Sequence, residues 1–133
     1  MNRRFADTFF YLAILNPRDA AHDRAVSLSQ NLRGGFVTTE FILLELADGM
    51  AYPPARETFV RFNALLAADR QVEIIPASTE LLRRGRNLYI DRPDKDWSLT
   101  DCVSFVVMRE HGVTEALTGD HHFEQAGFVA LLR

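Results

Sequence analysis

Four acidic residues stand where short apolar runs stop, and together they could support hydrolysis at phosphorus. Asp7 follows Phe5-Ala6, Glu45 interrupts the run that begins Phe41-Ile42-Leu43-Leu44, Asp101 opens a long apolar segment, and Asp120 follows Ala116-Leu117-Thr118-Gly119. Carboxylates gathered in one cleft cannot all stay ionised unless a cation neutralises them. Hard oxygen donors select Mg²⁺ or Mn²⁺, and such a centre suits phosphodiester cleavage. The four acids sit on separate segments spread over nearly the whole chain, so only a particular fold can bring them together.

Each acid also has a plainer reading. Asp7, just before Thr8, has the position of a helix N-cap. Ser98-Leu99-Thr100-Asp101 has capping-box spacing, and Asp120 could cap a short helix that follows it. Glu45 lies two turns into its helix, too deep to cap it, among apolar neighbours. Because a buried unpaired carboxylate costs several kcal/mol, Glu45 either occupies the one wet stripe of that helix or faces a cation. Asp96, close before Ser98, could join the cluster from its rim. His121 and His122 are adjacent, hence about 100° apart on a helix, which makes a poor chelate. His22 and His111 have no ligand-spaced partner, so no histidine is assigned a metal. The chain contains no Gly-x-x-x-x-Gly-Lys loop and no Gly-x-Ser-x-Gly elbow, which excludes P-loop and nucleophile-elbow chemistry.

The elements that would position these acids alternate. Phe5-Ala6 reads as a strand running into a helix over Thr8–Leu15, ended by Asn16-Pro17. An amphipathic helix follows from Asp19 to Leu32, ended by Gly34-Gly35, and Phe36–Thr38 is the next strand. Thr39 caps a helix through Met50, and Pro53-Pro54 opens another with Phe59, Phe62, Leu65 and Leu66 on one face. Val72–Pro76 is a strand, Ser78 to Ile90 a helix, and Asp91–Trp97 a polar loop. Ser98 caps a helix to His111, Glu115–Thr118 is a strand, His121–Ala126 a short helix, and Phe128–Leu131 a last strand. Strands alternating with helices predict an α/β fold: a parallel sheet of four to five strands with helices on both faces. In such sheets the ligand site lies beyond the carboxyl ends of the strands, where Asp7 and Asp120 would stand.

With 133 residues, 47% hydrophobic and 25% charged, the chain is expected to form one domain over residues 1–133. Its ten Phe residues supply much of the core. The net charge of −3 does not advertise nucleic-acid binding, but two local basic groups could form a phosphate-holding rim. These are Arg83, Arg84, Arg86, Arg92 and Lys95, and Arg3, Arg4, Arg18, Arg24 and Arg33; solvated helix faces are the plainer account of each. The single cysteine, Cys102, cannot form an internal disulfide, which suits a reducing cytoplasm. Asn2-Arg3-Arg4 before Phe9–Leu15 resembles a signal peptide only faintly, since Asp7 interrupts it and no small-residue cleavage site follows. No apolar run reaches the ~20 residues needed to cross a bilayer, and no membrane role is expected.

Four motifs in order, Phe5-Ala6-Asp7-Thr8, Thr38-Thr39-Glu40-Phe41-Ile42-Leu43-Leu44-Glu45, Ser98-Leu99-Thr100-Asp101-Cys102 and Leu117-Thr118-Gly119-Asp120-His121-His122-Phe123, resemble those of PIN-domain proteins. The likeness is to the small prokaryotic members of the VapC toxin type and covers essentially the whole chain. It implies a PIN-like three-layer fold and an acidic quartet, Asp7, Glu45, Asp101 and Asp120, that binds Mg²⁺ or Mn²⁺ and cleaves RNA to 5′-phosphate and 3′-hydroxyl ends. Thr8 and Thr118 match the small hydroxyl residues that often line such sites. Where the family often carries a further acid, His121 and His122 stand, so a fifth ligand would come from elsewhere, such as Asp96. The resemblance also implies an antitoxin partner. Phe9, Phe10 and Tyr11, with Phe59 and Phe62, are candidates for the apolar groove that receives it, and a homodimer could bury part of the same surface. Two other readings stand beside this one. One is a PIN-fold module that binds RNA or a partner without turnover. The other is a phosphatase or receiver domain using Asp7 as nucleophile or phosphoacceptor, although Phe9 stands where such phosphatases carry a second Asp.

Overall fold

Five short parallel strands form the centre of the structure, a computed structural model describing residues 2–133, in the order β3-β2-β1-β4-β5. They are β1 (Arg4–Ala6), β2 (Phe36–Thr39), β3 (Val72–Ile75), β4 (Glu115–Leu117) and β5 (Val129–Ala130). The strand β1 lies in the middle, with Phe5 level with Val37 on one side and with Ala116 on the other. Phe5, Ala6, Val37, Ala116 and Leu117 are fully buried. That burial explains their near-continuous apolar runs, because a parallel sheet covered on both faces has no wet side to alternate toward.

The helices are α1 (Thr8–Leu15), α2 (His22–Asn31), α3 (Glu40–Gly49), α4 (Ala55–Ala68), α5 (Thr79–Asp91), α6 (Leu99–Glu110) and α7 (His121–Gln125). From β1 to β3 the chain adds strands in one direction. It then crosses over β2 and β1 to lay down β4, reversing the direction of growth. Right-handed crossovers put α1–α4 on one face and α5–α7 on the other. The reversal creates a switch point between β1 and β4, where open α/β sheets hold their ligands. Beneath it Phe5, Phe105 and Phe123 pack in one aromatic group, with Phe105 edge-on to Phe123 at 5.0 Å between ring centres.

The expected element order is the observed one, with differences at the ends. The second helix starts at His22, because the carboxylate of Asp19 accepts the Ala21 amide at 2.8 Å and holds a turn before it. Asp91 belongs to α5, not to the loop that follows. Leu65 is 72% exposed, whereas Leu66 is buried and Phe59 and Phe62 are half-buried against the core. The inward stripe of α4 is thus 59, 62, 66, and position 65 lies about 100° away from its neighbour. No helix among the described residues is long and apolar enough to cross a membrane.

Candidate active site

An open cleft of about 540 Å³ lies at the switch point and is lined by Asp7, Thr8, Phe9, Leu12, Glu45, Asp96, Ser98, Asp101, Asp120 and His122. All four acids singled out above, with Asp96, therefore border one space. Asp7 enters directly from the end of β1, and Asp120 from the turn after β4. Glu45 comes from the second turn of α3 and Asp101 from the first turn of α6. No Lys or Arg lines the cleft, so its only side chain able to become cationic is His122.

Asp7 is the most deeply set acid. It occupies the N-cap position of α1 yet makes no side-chain cap. Its Oδ2 instead accepts the buried Thr118 hydroxyl at 2.7 Å, across the β1–β4 seam. Burial pushes its carboxyl up to about 7, against the pull of the Thr118 hydroxyl; the charge of Asp101 pushes the same way, the Thr8 amide opposes, and the Glu45 charge adds to the rise. The capping reading thus fails for the acid where it was plainest.

Asp101 and Asp120 do both jobs. Asp101 completes a capping box with Ser98, accepting the Ser98 amide on Oδ2 at 3.1 Å while its own amide donates to Ser98 Oγ at 3.0 Å. Burial is the main cause that raises its carboxyl above the usual range; the Ser98 amide opposes it and the nearby Asp120 charge reinforces it. Asp120 caps α7 by accepting the His122 amide at 2.9 Å, and its own amide donates to Thr118 Oγ1 at 3.1 Å. One threonine hydroxyl thereby ties Asp7 to the Asp120 backbone.

Glu45 is exposed, as are its neighbours Leu44 and Asp48. Its wet stripe is also a wall of the acidic cleft, so the two readings open for it coincide. It faces the cleft across that stripe and accepts a hydrogen bond from Thr8 Oγ1. Asp96 is exposed at the rim, on the loop between α5 and α6.

Sequence reasoning passed over His122. Its Nδ1 lies 3.2 Å from Asp101 Oδ2 and 3.3 Å from Asp120 Oδ1. The two histidines do not diverge as expected: their ring centres lie 4.4 Å apart, and Asp120, His121 and His122 each offer a ligand atom within 4.8 Å of the others, although only His122 lines the cleft. The available signal was an Asp in the cap position two residues before a His, which places that imidazole beside the capping carboxylate. The basic rim also differs from expectation, because several of its members are paired. Arg83 and Arg84 meet Glu80, Arg84 also reaches Glu110, Arg92 holds Asp94, Arg3 holds Glu73 and Arg4 holds Glu115.

The sequence pattern of the PIN domain matches residues 4–129. The chain belongs to the PIN domain family. Among curated proteins it is 29% identical over 126 residues to the 23S rRNA-specific endonuclease VapC20 of Mycobacterium tuberculosis, covering 94% of this chain and 95% of that one. The crystal structure of Mycobacterium tuberculosis VapC20, described as a sarcin-ricin loop cleaving toxin, superposes with a TM-score of 0.85 at 26% identity, over 94% of this chain and 95% of that one. VapBC2 from Rickettsia felis, solved bound to a DNA fragment from its promoter, shares the fold at a TM-score of 0.66 and 13% identity, covering 96% of this chain and 95% of that one. The chain is thus a PIN-domain homologue of VapC-type ribonuclease toxins.

Proposed function

We propose that this chain is a Mg²⁺- or Mn²⁺-dependent ribonuclease that hydrolyses RNA phosphodiester bonds at the switch-point cleft. It would act as the toxin of a toxin–antitoxin pair. The observation that carries this reading is the cleft itself, five carboxylates with no Lys or Arg among its lining residues. A buried Asp7 held up to about 7 is a group whose charge is unsatisfied by the protein alone, and oxygen donors of this kind suit a hard divalent cation.

Asp7, Glu45, Asp101 and Asp120 are the residues that would hold the cation, with Asp96 at the rim as an accessory. When bound, it would supply Lewis-acid stabilisation of charge at phosphorus and make water a better nucleophile near neutral pH. The protein's part is orientation. Thr118 fixes Asp7, Thr8 fixes Glu45, the Ser98 amide fixes Asp101 and the His122 amide fixes Asp120. Phe9 and Leu12 form an apolar wall beside the acids. No side-chain nucleophile is required, and the expected products carry 5′-phosphate and 3′-hydroxyl ends.

The named target of VapC20 makes 23S rRNA the first substrate to assay. Cleavage should require Mg²⁺ or Mn²⁺, stop in EDTA, and fall in Asp7→Asn and Asp101→Asn by more than about 100-fold, beyond what loss of an outer hydrogen-bond partner costs a metal site. Cleavage that persists in EDTA would sink this reading, whereas RNA binding without cleavage would favour the silent module.

The partner reading needs a surface. Phe10 and Tyr11 are buried, so they are core residues, and Tyr11 packs edge-on to Phe62 at 5.3 Å. The exposed apolar residues of this region are Phe9, Leu12 and Tyr52. Leu12 and Tyr52 line a groove of about 370 Å³ between α1 and the start of α4. This groove is the proposed seat of an amphipathic antitoxin helix. Exposed Leu44, Val60 and Leu65 on α3 and α4 are the proposed apolar contribution to a homodimer.

A further inference from the structure

His122 is the cleft-lining side chain that the quartet leaves without a task. Its side chain is only 19% exposed, and one atom, Nδ1, approaches both Asp101 Oδ2 at 3.2 Å and Asp120 Oδ1 at 3.3 Å. Donors bound to one ion are separated by an edge of its coordination polyhedron. That edge is about 3.0 Å for an octahedron with ~2.1 Å bonds and about 3.3 Å for a tetrahedron with ~2.0 Å bonds to nitrogen. Both separations at His122 fall at or near this interval. The nitrogen thus stands at co-ligand distance from each of the two carboxylate oxygens.

We propose that His122 Nδ1 is a direct ligand of the cation, beside Asp101 and Asp120, and that this nitrogen biases the site toward Mn²⁺ over Mg²⁺. The proposal rests on the metal-dependent reading above and adds a ligand of different chemistry to it. Neutral imidazole suits transition metals, whereas Mg²⁺ favours oxygen donors and gives up water reluctantly.

Local structure favours His122 over His121 as the cleft ligand, although both stand near Asp120. Asp120 caps α7 through the His122 amide at 2.9 Å, which locks the backbone of His122 against that carboxylate. His121 lies beside His122, with ring centres 4.4 Å apart, but it is outside the cleft lining. Its side chain is 55% exposed and its Nδ1 comes no nearer than 3.7 Å to Asp120 Oδ1. The competing role for His122 is purely orienting, with an Nδ1–H shared between the two carboxylates. That role needs a proton on the atom that would otherwise bind the metal, so the two roles exclude one another at that atom.

The test is spectroscopic. Stoichiometric Mn²⁺ is added to the purified chain, and bound Mn²⁺ is followed by electron paramagnetic resonance with measurement of ¹⁴N modulation. The expected result is a directly coordinated imidazole nitrogen in the wild type and in His121→Asn, absent in Mn²⁺-loaded His122→Asn. By calorimetry, the preference for Mn²⁺ over Mg²⁺ should fall about tenfold in His122→Asp, the scale at which a ligand environment is tuned. Mn²⁺ that binds through Asp7 and Asp101 but shows no coordinated nitrogen in the wild type overturns this proposal and leaves the nuclease reading standing. A ¹⁴N signal that survives in His122→Asn also overturns it. Failure of the wild type to bind Mn²⁺ at all overturns both.

Discussion

Asp7 concentrates the electrostatic tension of the protein in one carboxyl group. Its folded value of about 7 lies well above the ordinary carboxylate range, so the folded state binds its proton more tightly than the unfolded chain does. Below the unfolded value both states are protonated and Asp7 costs nothing. As pH rises from about 4 to about 7 the unfolded carboxyl ionises first, and stability is lost through that window. Above the folded value the whole cost is present. In EDTA the wild type should therefore be more stable at pH 5 than at pH 7.5, as measured by urea denaturation. Asp7→Asn should flatten that dependence and gain up to about 4 kcal/mol at pH 7.5, the upper limit set by some three pH units. Added Mn²⁺ should narrow the gap from the wild-type side. A wild type equally stable at both pH values would mean that Asp7 ionises in the fold without penalty. On the proposed mechanism, stability and activity should move in opposite directions at this residue, as expected where function requires a poorly compensated charge.

At the scale of the element, α6 carries the cleft's largest lever. Its first turn presents Asp101, and its position is set by Ser98 at the N-terminus and by the α5–α6 contact along its length. Gly85 of α5 sits where an added Cβ would lie 2.4 Å from Val103 Cγ2 and 3.1 Å from the Val103 Cα. The two helices approach so closely that no side chain fits between them. Gly85→Ala should gain helix propensity and still lose about 1–3 kcal/mol through overpacking, read by chemical denaturation. A neutral or stabilising result would show that the pair can slide apart freely. Ser98→Ala removes the hydroxyl that accepts the Asp101 amide and should cost about 1 kcal/mol. It should also weaken Mn²⁺ binding, because the end of α6 that aims Asp101 is loosened; Ser98→Thr, which keeps the oxygen, should restore both.

At the scale of the whole molecule, the proposed ribonuclease is an acidic chain that would have to hold a polyanion. The net charge is −3, and many of its arginines are already paired with carboxylates on its own surface. RNA affinity should therefore be modest for the isolated chain and fall steeply with salt. A dimer would set two sets of cations beside one another. Light scattering after size exclusion should give a dimer for the wild type and a smaller species for Leu65→Glu. Co-expression with the protein encoded beside it should yield a complex and suppress RNA cleavage. Substituting Tyr52 by Asp in the α1–α4 groove should release that complex. A monomer that gains no partner and keeps its activity would count against the groove and the toxin role together.

The order of strands and helices, and the placement of the acids at their ends, were determined by the sequence alone. Caps, glycines, prolines and apolar periodicity act over a few residues of backbone, so Ser98 and Asp101 already announced their capping box, and Phe5-Ala6 and Ala116-Leu117 their buried strands. What the tertiary structure decided is which ends meet. That β4 lies beside β1, and not beside β3, is a matter of long-range burial with no local signature, yet it alone lets the Thr118 hydroxyl reach Asp7 and brings Asp120 to the same cleft as Asp101. The same holds for the exposure of Glu45 on an apolar-looking helix and for the pairing of the arginines. It holds also for His122, whose nearest carboxylates include one that lies 21 residues away in the chain. Chemistry that depends on separations near 3 Å between distant residues is set by packing, because only packing holds such groups at a fixed distance.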